Sequence, residues 1–296
     1  MDLLAAPPQY VEGLDGVRIA TTVAGEGPAL LLLHGYPEMR GMWRRVAPAL
    51  AERFTIVATD LRGYGESDAP AGELYSKREM AADQLAVMAA LGFENFFVAG
   101  HDRGARVAHR MALDAPERVC AVAVIDIVPT LHMFDNVDRA MATSYFHWFF
   151  LTVPGGLPAD LIRADPQRWL RSRFDGRCTT RDPLDPETFA RYLECFRREG
   201  VIEATCADYR AAATIDLEHD RADARAGRML AMPLLALWGS DSYVGRSFDV
   251  VDVWRAYARD VAGRAIGADH YVPEEAPDET AQALVDFFTG VPGGKA

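Results

Sequence analysis

Cysteine is sparse in this chain. It has four in 296 residues, Cys120, Cys178, Cys195 and Cys206, and none forms a CxxC pair. That absence removes the common zinc-ribbon and dithiol redox signatures, and the scattered thiols read as reduced groups of a cytoplasmic protein. Positive charge is also short: 31 Lys and Arg face 43 Asp and Glu, a formal net charge of −12. Nucleic-acid binding, which needs a basic face, is excluded on that balance. The same balance repels anionic ligands at long range, so any anion site must be assembled locally. No apolar run approaches the ~20 residues that span a bilayer. The opening stretch, MDLLAAPPQYVEGLDG, lacks the basic-then-apolar order of a secretory leader. Membrane contact is therefore not expected. Internal repeats and low-complexity segments are missing as well, and the closing VPGGKA reads as a frayed tail.

What is present is an alternation of short apolar runs and helical stretches. Strands are expected at Val17–Val23, Ala29–His34, Thr55–Thr59, Phe96–Ala99, Ala121–Ile127, Leu234–Trp238 and Val261–Ile266. The runs ALLLLH and AVAVIDI are apolar throughout, as central strands covered on both faces must be. Helices are expected near Met42–Arg53, Lys77–Leu91, Gly104–Leu113, Asp249–Ala258 and Glu279–Phe288, the second opened by a capping box from Ser76 to Glu79. Strands alternating with helices make an α/β fold, a mostly parallel sheet flanked by helices. The alternation stops after Pro129 and resumes at Pro233. The aromatic-rich, strand-poor segment between implies a helical lid at 131–227 inserted into a core made of 1–130 and 228–296.

The most informative stretch is VAGHDRGARVA, Val98 to Ala108. Gly100 and Gly104 flank Asp102 two residues to either side. A side chain at the apex of a strained strand-to-helix turn needs small residues there, because neighbouring chain packs close. The helix that follows aims its first N–H groups and positive dipole end at the apex. An ionised aspartate so placed can act as a carboxylate nucleophile; the plainer alternative is a helix cap between two turning glycines. Other elements stand in the order such chemistry requires. LLLHGYP (Leu31–Pro37) joins a strand to a tight loop in which the Tyr36 backbone N–H, with that of Arg103, would form an oxyanion hole. DLRGYGESD (Asp60–Asp68) follows the next strand and reads as structural. His270 lies between the last strand and the last helix, placed as a general base. Two aspartates compete for the acid that would orient it: Asp126, at the end of AVAVID, and Asp241, after LLALWG.

Taken together, HDRGAR (His101–Arg106), VIDIVPT (Val124–Thr130), YFHWFF (Tyr145–Phe150), DYRAAATIDLEHD (Asp208–Asp220) and DHYVPEEAPDET (Asp269–Thr280) resemble the α/β-hydrolase superfamily over almost the whole chain. Within it they resemble the haloalkane dehalogenase and epoxide hydrolase branch, and more narrowly the fluoroacetate (haloacetate) dehalogenases. The resemblance implies a catalytic set of Asp102, His270 and Asp126, and favours Asp126 over Asp241. It assigns Arg103 and Arg106 to the substrate carboxylate, and His147, Trp148 and Tyr209 to the leaving halide. It implies a small anionic organohalide as substrate, no cofactor, no metal despite the His219-containing LEHD cluster, and a homodimer. The residues themselves make physical sense of the two arginines. A haloacetate and a carboxylate nucleophile repel by ~4 kcal/mol at 4 Å and an effective dielectric of about 20. Arg103 and Arg106, spaced i, i+3 on the following helix, can offset that repulsion. An epoxide hydrolase on the same scaffold and a non-catalytic small-molecule receptor are the competing functions. The first usually carries two lid tyrosines where this chain has His147-Trp148 and Tyr209; the second has no need of Asp102, His270 and an acid.

Overall fold

A computed structural model describes residues 3–4, 6–178 and 184–291. Eight strands form one sheet: β1 (Gln9–Glu12), β2 (Arg18–Ala24), β3 (Ala29–Leu33), β4 (Thr55–Thr59), β5 (Phe96–His101), β6 (Val119–Ile125), β7 (Leu234–Gly239) and β8 (Val261–Ile266). Their order across the sheet is β1-β2-β4-β3-β5-β6-β7-β8. β1 and β2 run antiparallel, and every pairing from β4 to β8 is parallel. β3 and β5 are buried along their full length, as their unbroken apolar sequences require.

The seven expected strands are all present, with ends shifted by a residue or two. β1 was not anticipated: its sequence, QYVE, is largely exposed at the sheet edge and carries little hydrophobic signal. The helix expected at Met42–Arg53 is instead a 3-10 segment, Arg40–Arg45, and one α-helical turn, Ala47–Leu50, with Pro48 at its start. The helix Lys77–Ala90 opens with the anticipated capping box. The Ser76 backbone N–H donates to Glu79 Oε2 (2.7 Å), and Ser76 Oγ accepts from the Glu79 N–H (3.3 Å).

Between β6 and β7 every described element is a helix, from Thr130–Asp135 to Ile215–Arg225. These helices lie over the carboxyl ends of the parallel strands, where open α/β sheets hold their ligands. The loop after β3, the helix after β5, the loop after β6 and the segment after β8 all arrive at that edge. The expected tail at 292–296 lies outside the described residues.

Candidate active site

β5 passes directly into the helix Asp102–Asp114, with Asp102 at the junction in a left-handed conformation (φ +44°). Non-glycine residues rarely adopt this φ, and the flanking glycines show why the turn is so tight. A Cβ at Gly100 would lie 2.5 Å from the Ala105 nitrogen, and one at Gly104 2.5 Å from the His34 carbonyl oxygen. The Tyr36 N–H donates to Asp102 Oδ2 at 3.2 Å, so the loop after β3 holds one oxygen of the carboxylate. Burial alone would raise the Asp102 pKa, but His270, Arg103, His101 and Arg106 outweigh it and keep the group below its usual value.

His270 reaches the same place from the end of β8. Its Nδ1 is 2.7 Å from Asp126 Oδ2, and Asp126 Oδ1 accepts from the Gly239 N–H at 3.1 Å. Asp126 also has a positive φ (+52°), and burial raises its pKa to about 6. Asp241, the competing acid, is exposed. Burial and the positive charge of Arg177 and His101 push His270 well below the ordinary histidine value, so its imidazole is neutral and able to accept a proton.

The helix after Asp102 is buried from Asp102 to Leu113 and carries three arginines, each of which must find a partner. Arg103 donates from Nε (2.9 Å) and Nη2 (2.5 Å) to Asp208. Asp208 also takes the ammonium of Lys77 and the Tyr64 hydroxyl (2.6 Å). Arg110 is buried and ion-paired with Asp114, Asp220 and Asp223. Arg106 differs from both. Among the described residues its Nη1 reaches only neutral acceptors, the Val128 carbonyl (3.1 Å) and Thr130 Oγ1 (2.9 Å), and its Nε has no partner. Burial lowers its pKa to about 10, with the Asp102 carboxylate acting in the opposite sense. One nitrogen of Arg103, Nη1, is likewise unpartnered.

The lid supplies the rest. Trp148 lies under the Arg106 guanidinium (4.7 Å to the ring centre) and Tyr209 under that of Arg103 (4.3 Å). His147 and Tyr209 rings are 5.7 Å apart, Trp148 and Tyr209 6.3 Å. His147 Nδ1, Trp148 Nε1 and Tyr209 Oη are all buried without a partner among the described residues. Buried polar atoms are nearly always satisfied. Here five unpartnered ones, counting Arg103 Nη1 and Arg106 Nε, belong to the residues singled out in the sequence for an anion.

The chain matches the model of the α/β hydrolase fold family over residues 28–277. It belongs to the α/β-hydrolase family. Among curated relatives of this α/β hydrolase, a fluoroacetate dehalogenase from a Burkholderia species is 42% identical, covering 94% of this chain and 92% of that protein. A soluble epoxide hydrolase of Corynebacterium sp. (strain C12) is 34% identical over 93% and 95%. A solved structure of a candidate α/β hydrolase from Nostoc sp. PCC 7120 superposes with a TM-score of 0.93 at 49% identity, covering 96% of this chain and 98% of that one. Among the described residues of this hydrolase, no helix is long and apolar enough to cross a membrane. Nor do those residues include a cluster of three or more His, Cys, Asp or Glu suited to a metal ion.

Several residues at the hydrolase site escaped the sequence reading. Asp208 sits next to Tyr209 in a quoted motif, yet nothing in its spacing ties it to Arg103. Glu38 contacts His101 Nδ1 (3.1 Å) while His101 Nε2 faces the His270 carbonyl (2.8 Å), so both ring nitrogens meet acceptors. Burial opposes a charge on that ring, but the Glu38 bond raises its pKa to about 9. Trp169 donates to the Tyr36 hydroxyl at 2.5 Å, closing the lid onto the loop after β3. Each of these pairs joins residues far apart in sequence.

Proposed function

We propose that this hydrolase removes halide from a haloacetate, fluoroacetate or chloroacetate, releasing glycolate. The observation that supports this most is Arg106: a buried guanidinium beside the Asp102 carboxylate with only neutral protein partners. A neutral substrate has no use for that charge; a carboxylate has.

In this reading Arg106 and the free Nη1 of Arg103 take the substrate carboxylate and hold the CH₂–X carbon before Asp102. The Tyr36 N–H engages Oδ2, which leaves Oδ1 to attack. The new C–O bond forms as the C–X bond breaks, and the halide departs with its electron pair toward His147, Trp148 and Tyr209. Each offers one N–H or O–H, and donors aimed at developing charge are worth roughly 10²–10³ in rate when removed singly. His147 is kept neutral by burial and by nearby arginines, so it donates from one nitrogen only. The ester on Asp102 is then hydrolysed. His270 takes a proton from water, and the hydroxide adds to the ester carbonyl carbon. The negative charge gathers on the oxygen already held by Tyr36, joined by the Arg103 N–H of the first helical turn. Collapse releases glycolate and restores the carboxylate with one oxygen from water. Asp126 holds the imidazole in the tautomer this needs.

The 34% identical epoxide hydrolase makes epoxide opening the second reading. Tyr209 could protonate an epoxide oxygen, but two free cationic donors over the nucleophile favour an anion. Incubation with fluoroacetate and chloroacetate, with fluoride and chloride followed in solution, tests the proposal. Release by the wild type and none by Asp102→Asn is expected. Epoxide opening without release of either halide would overturn it.

A further inference from the structure

Buried arginines in this chain are generally paired: Arg40 with Asp60 and Glu66, Arg62 with Asp83, Arg103 with Asp208, Arg110 with Asp223. Arg106 departs from the pattern and is absorbed by the reaction. Buried Arg173 and half-buried Arg177 depart from it too. Among the described residues neither forms an ion pair. Arg173, 3% exposed, donates only to the Ser172 hydroxyl beside it (3.3 and 3.1 Å). Arg177 rests on an aromatic face instead, 4.8 Å from the Tyr145 ring centre. Arg173 is likewise flanked by Phe146 (4.6 Å) and Trp169 (4.5 Å). Cations held on ring faces keep their N–H edges available.

Both face a cleft of about 230 Å³ that Arg246, Asp175 and Asp269 also line. It lies immediately outside the catalytic centre. The Arg177 carbonyl accepts from the His270 N–H (3.4 Å), and the Arg173 carbonyl from the Tyr271 hydroxyl (2.9 Å). Tyr145, on the cleft wall, stacks on His147 (5.7 Å) and meets the His270 ring edge-on (6.4 Å). One aromatic ring therefore separates the cleft from the halide donors and the general base. The volume suits a two-carbon acid with a few waters, each of which occupies about 30 Å³.

We propose that this cleft is an outer anion site: Arg173 and Arg177 take a small carboxylate or halide at the mouth, ahead of entry or after release. Three guanidiniums there face two carboxylates, a local positive excess on a chain of net charge −12. A fold that repels anions at long range gains encounter rate from such a focus. That the passing anion is a haloacetate rests on the proposed function; the anion site does not.

The test compares wild type with Arg173→Gln, Arg177→Gln, the matching Lys variants and Arg246→Gln, the last at an exposed position that does not threaten the core. Chloroacetate kcat/KM at low ionic strength should fall about tenfold in Arg173→Gln and Arg177→Gln and by a smaller factor in Arg246→Gln. The loss should sit in KM rather than kcat, Lys should restore most of it, and added salt should erase the difference. Iodide quenching of tryptophan fluorescence supplies a readout without turnover, because Trp169 abuts Arg173. A saturable component present in wild type and lost in the Gln variants is expected. Unchanged kcat/KM with purely collisional quenching in every variant would overturn the site. Saturable quenching without halide release from either acid would instead overturn the haloacetate reading alone.

Discussion

Asp208→Asn perturbs the buried charge cluster that fixes Arg103. The change is isosteric and removes one charge. The Asp208 carboxylate is fully buried and holds Arg103, Lys77 and the Tyr64 hydroxyl. Asp216 Oδ2 lies 3.8 Å from the Lys77 ammonium, so the buried group holds two cations and two anions. Asparagine leaves one cation in excess, and removing one partner of a buried pair costs about 3–5 kcal/mol. At roughly 2–4 °C per kcal/mol for a domain near this size, the melting temperature should fall by about 6–20 °C. Calorimetry at pH 7 reads this directly. Lys77→Met on the Asn background removes the excess charge and should recover at least half the loss, a coupling that a double-mutant cycle measures. A pH series adds a signed check. Burial already lowers the Lys77 pKa, and without Asp208 it should fall further. Between that value and the unfolded one, near 10.4, the unfolded chain binds the proton and the folded chain does not. Stability must then rise with pH, and the deficit at pH 9 should be smaller than at pH 7. A deficit under about 1 kcal/mol, or strict additivity of the two substitutions, would refute the charge-balance reasoning.

Asp126→Asn should lower kcat for halide release by roughly 10³–10⁴, the scale of losing the acid that fixes an imidazole tautomer, whereas Asp241→Asn should leave it unchanged; the reverse pattern would reassign the acid. In the proposed reaction His270 is a neutral base with a depressed pKa, so activity should be present above that pKa and lost as pH falls through it. The acid limb of kcat/KM should therefore lie below pH 6.5, and a midpoint at or above that value contradicts the assignment. Gly104→Ala should destabilise by about 1–3 kcal/mol or prevent folding, because its Cβ would stand 2.5 Å from the His34 carbonyl oxygen; an unchanged urea midpoint would show that the turn can relax.

The fold was legible where burial wrote itself into composition. ALLLLH and AVAVID are apolar because both faces of β3 and β6 are covered, and the inserted segment announced itself by losing that pattern. β1 stayed invisible because an exposed edge strand needs no apolar alternation. The helix expected after Met42 failed for a related reason: Met42, Trp43, Val46 and Leu50 look periodic, yet Pro48 divides them and the first half closes as a 3-10 segment. Periodicity reports which residues are buried and not which hydrogen-bonding pattern buries them.

The site divides along a different line. Asp102, Arg103, Arg106 and His270 each sit a fixed step from a strand end or turn, whereas Asp126 shares such a place with Asp241 and was favoured only by the family resemblance. Their chemistry is set by residues with no such step. Arg103 and Arg106 are equivalent in sequence, two cations one helical turn apart beside Asp102. Asp208, 105 positions later, takes two nitrogens of the first and none of the second. Arg103 thereby becomes mainly a rigid wall with one free edge, while Arg106 keeps an unneutralised charge. On the proposed function, specificity for an anion depends on which arginine the lid leaves unpaired, so exchanging that pairing should retune the pocket without touching Asp102 or His270. Moving the acid from Asp208 to Thr130, as Asp208→Asn with Thr130→Asp, would set a carboxylate against Arg106 and free Arg103. Haloacetate KM should then rise steeply while the Asp102 environment is retained, and an unchanged KM would mean that Arg103 was the carboxylate's main partner.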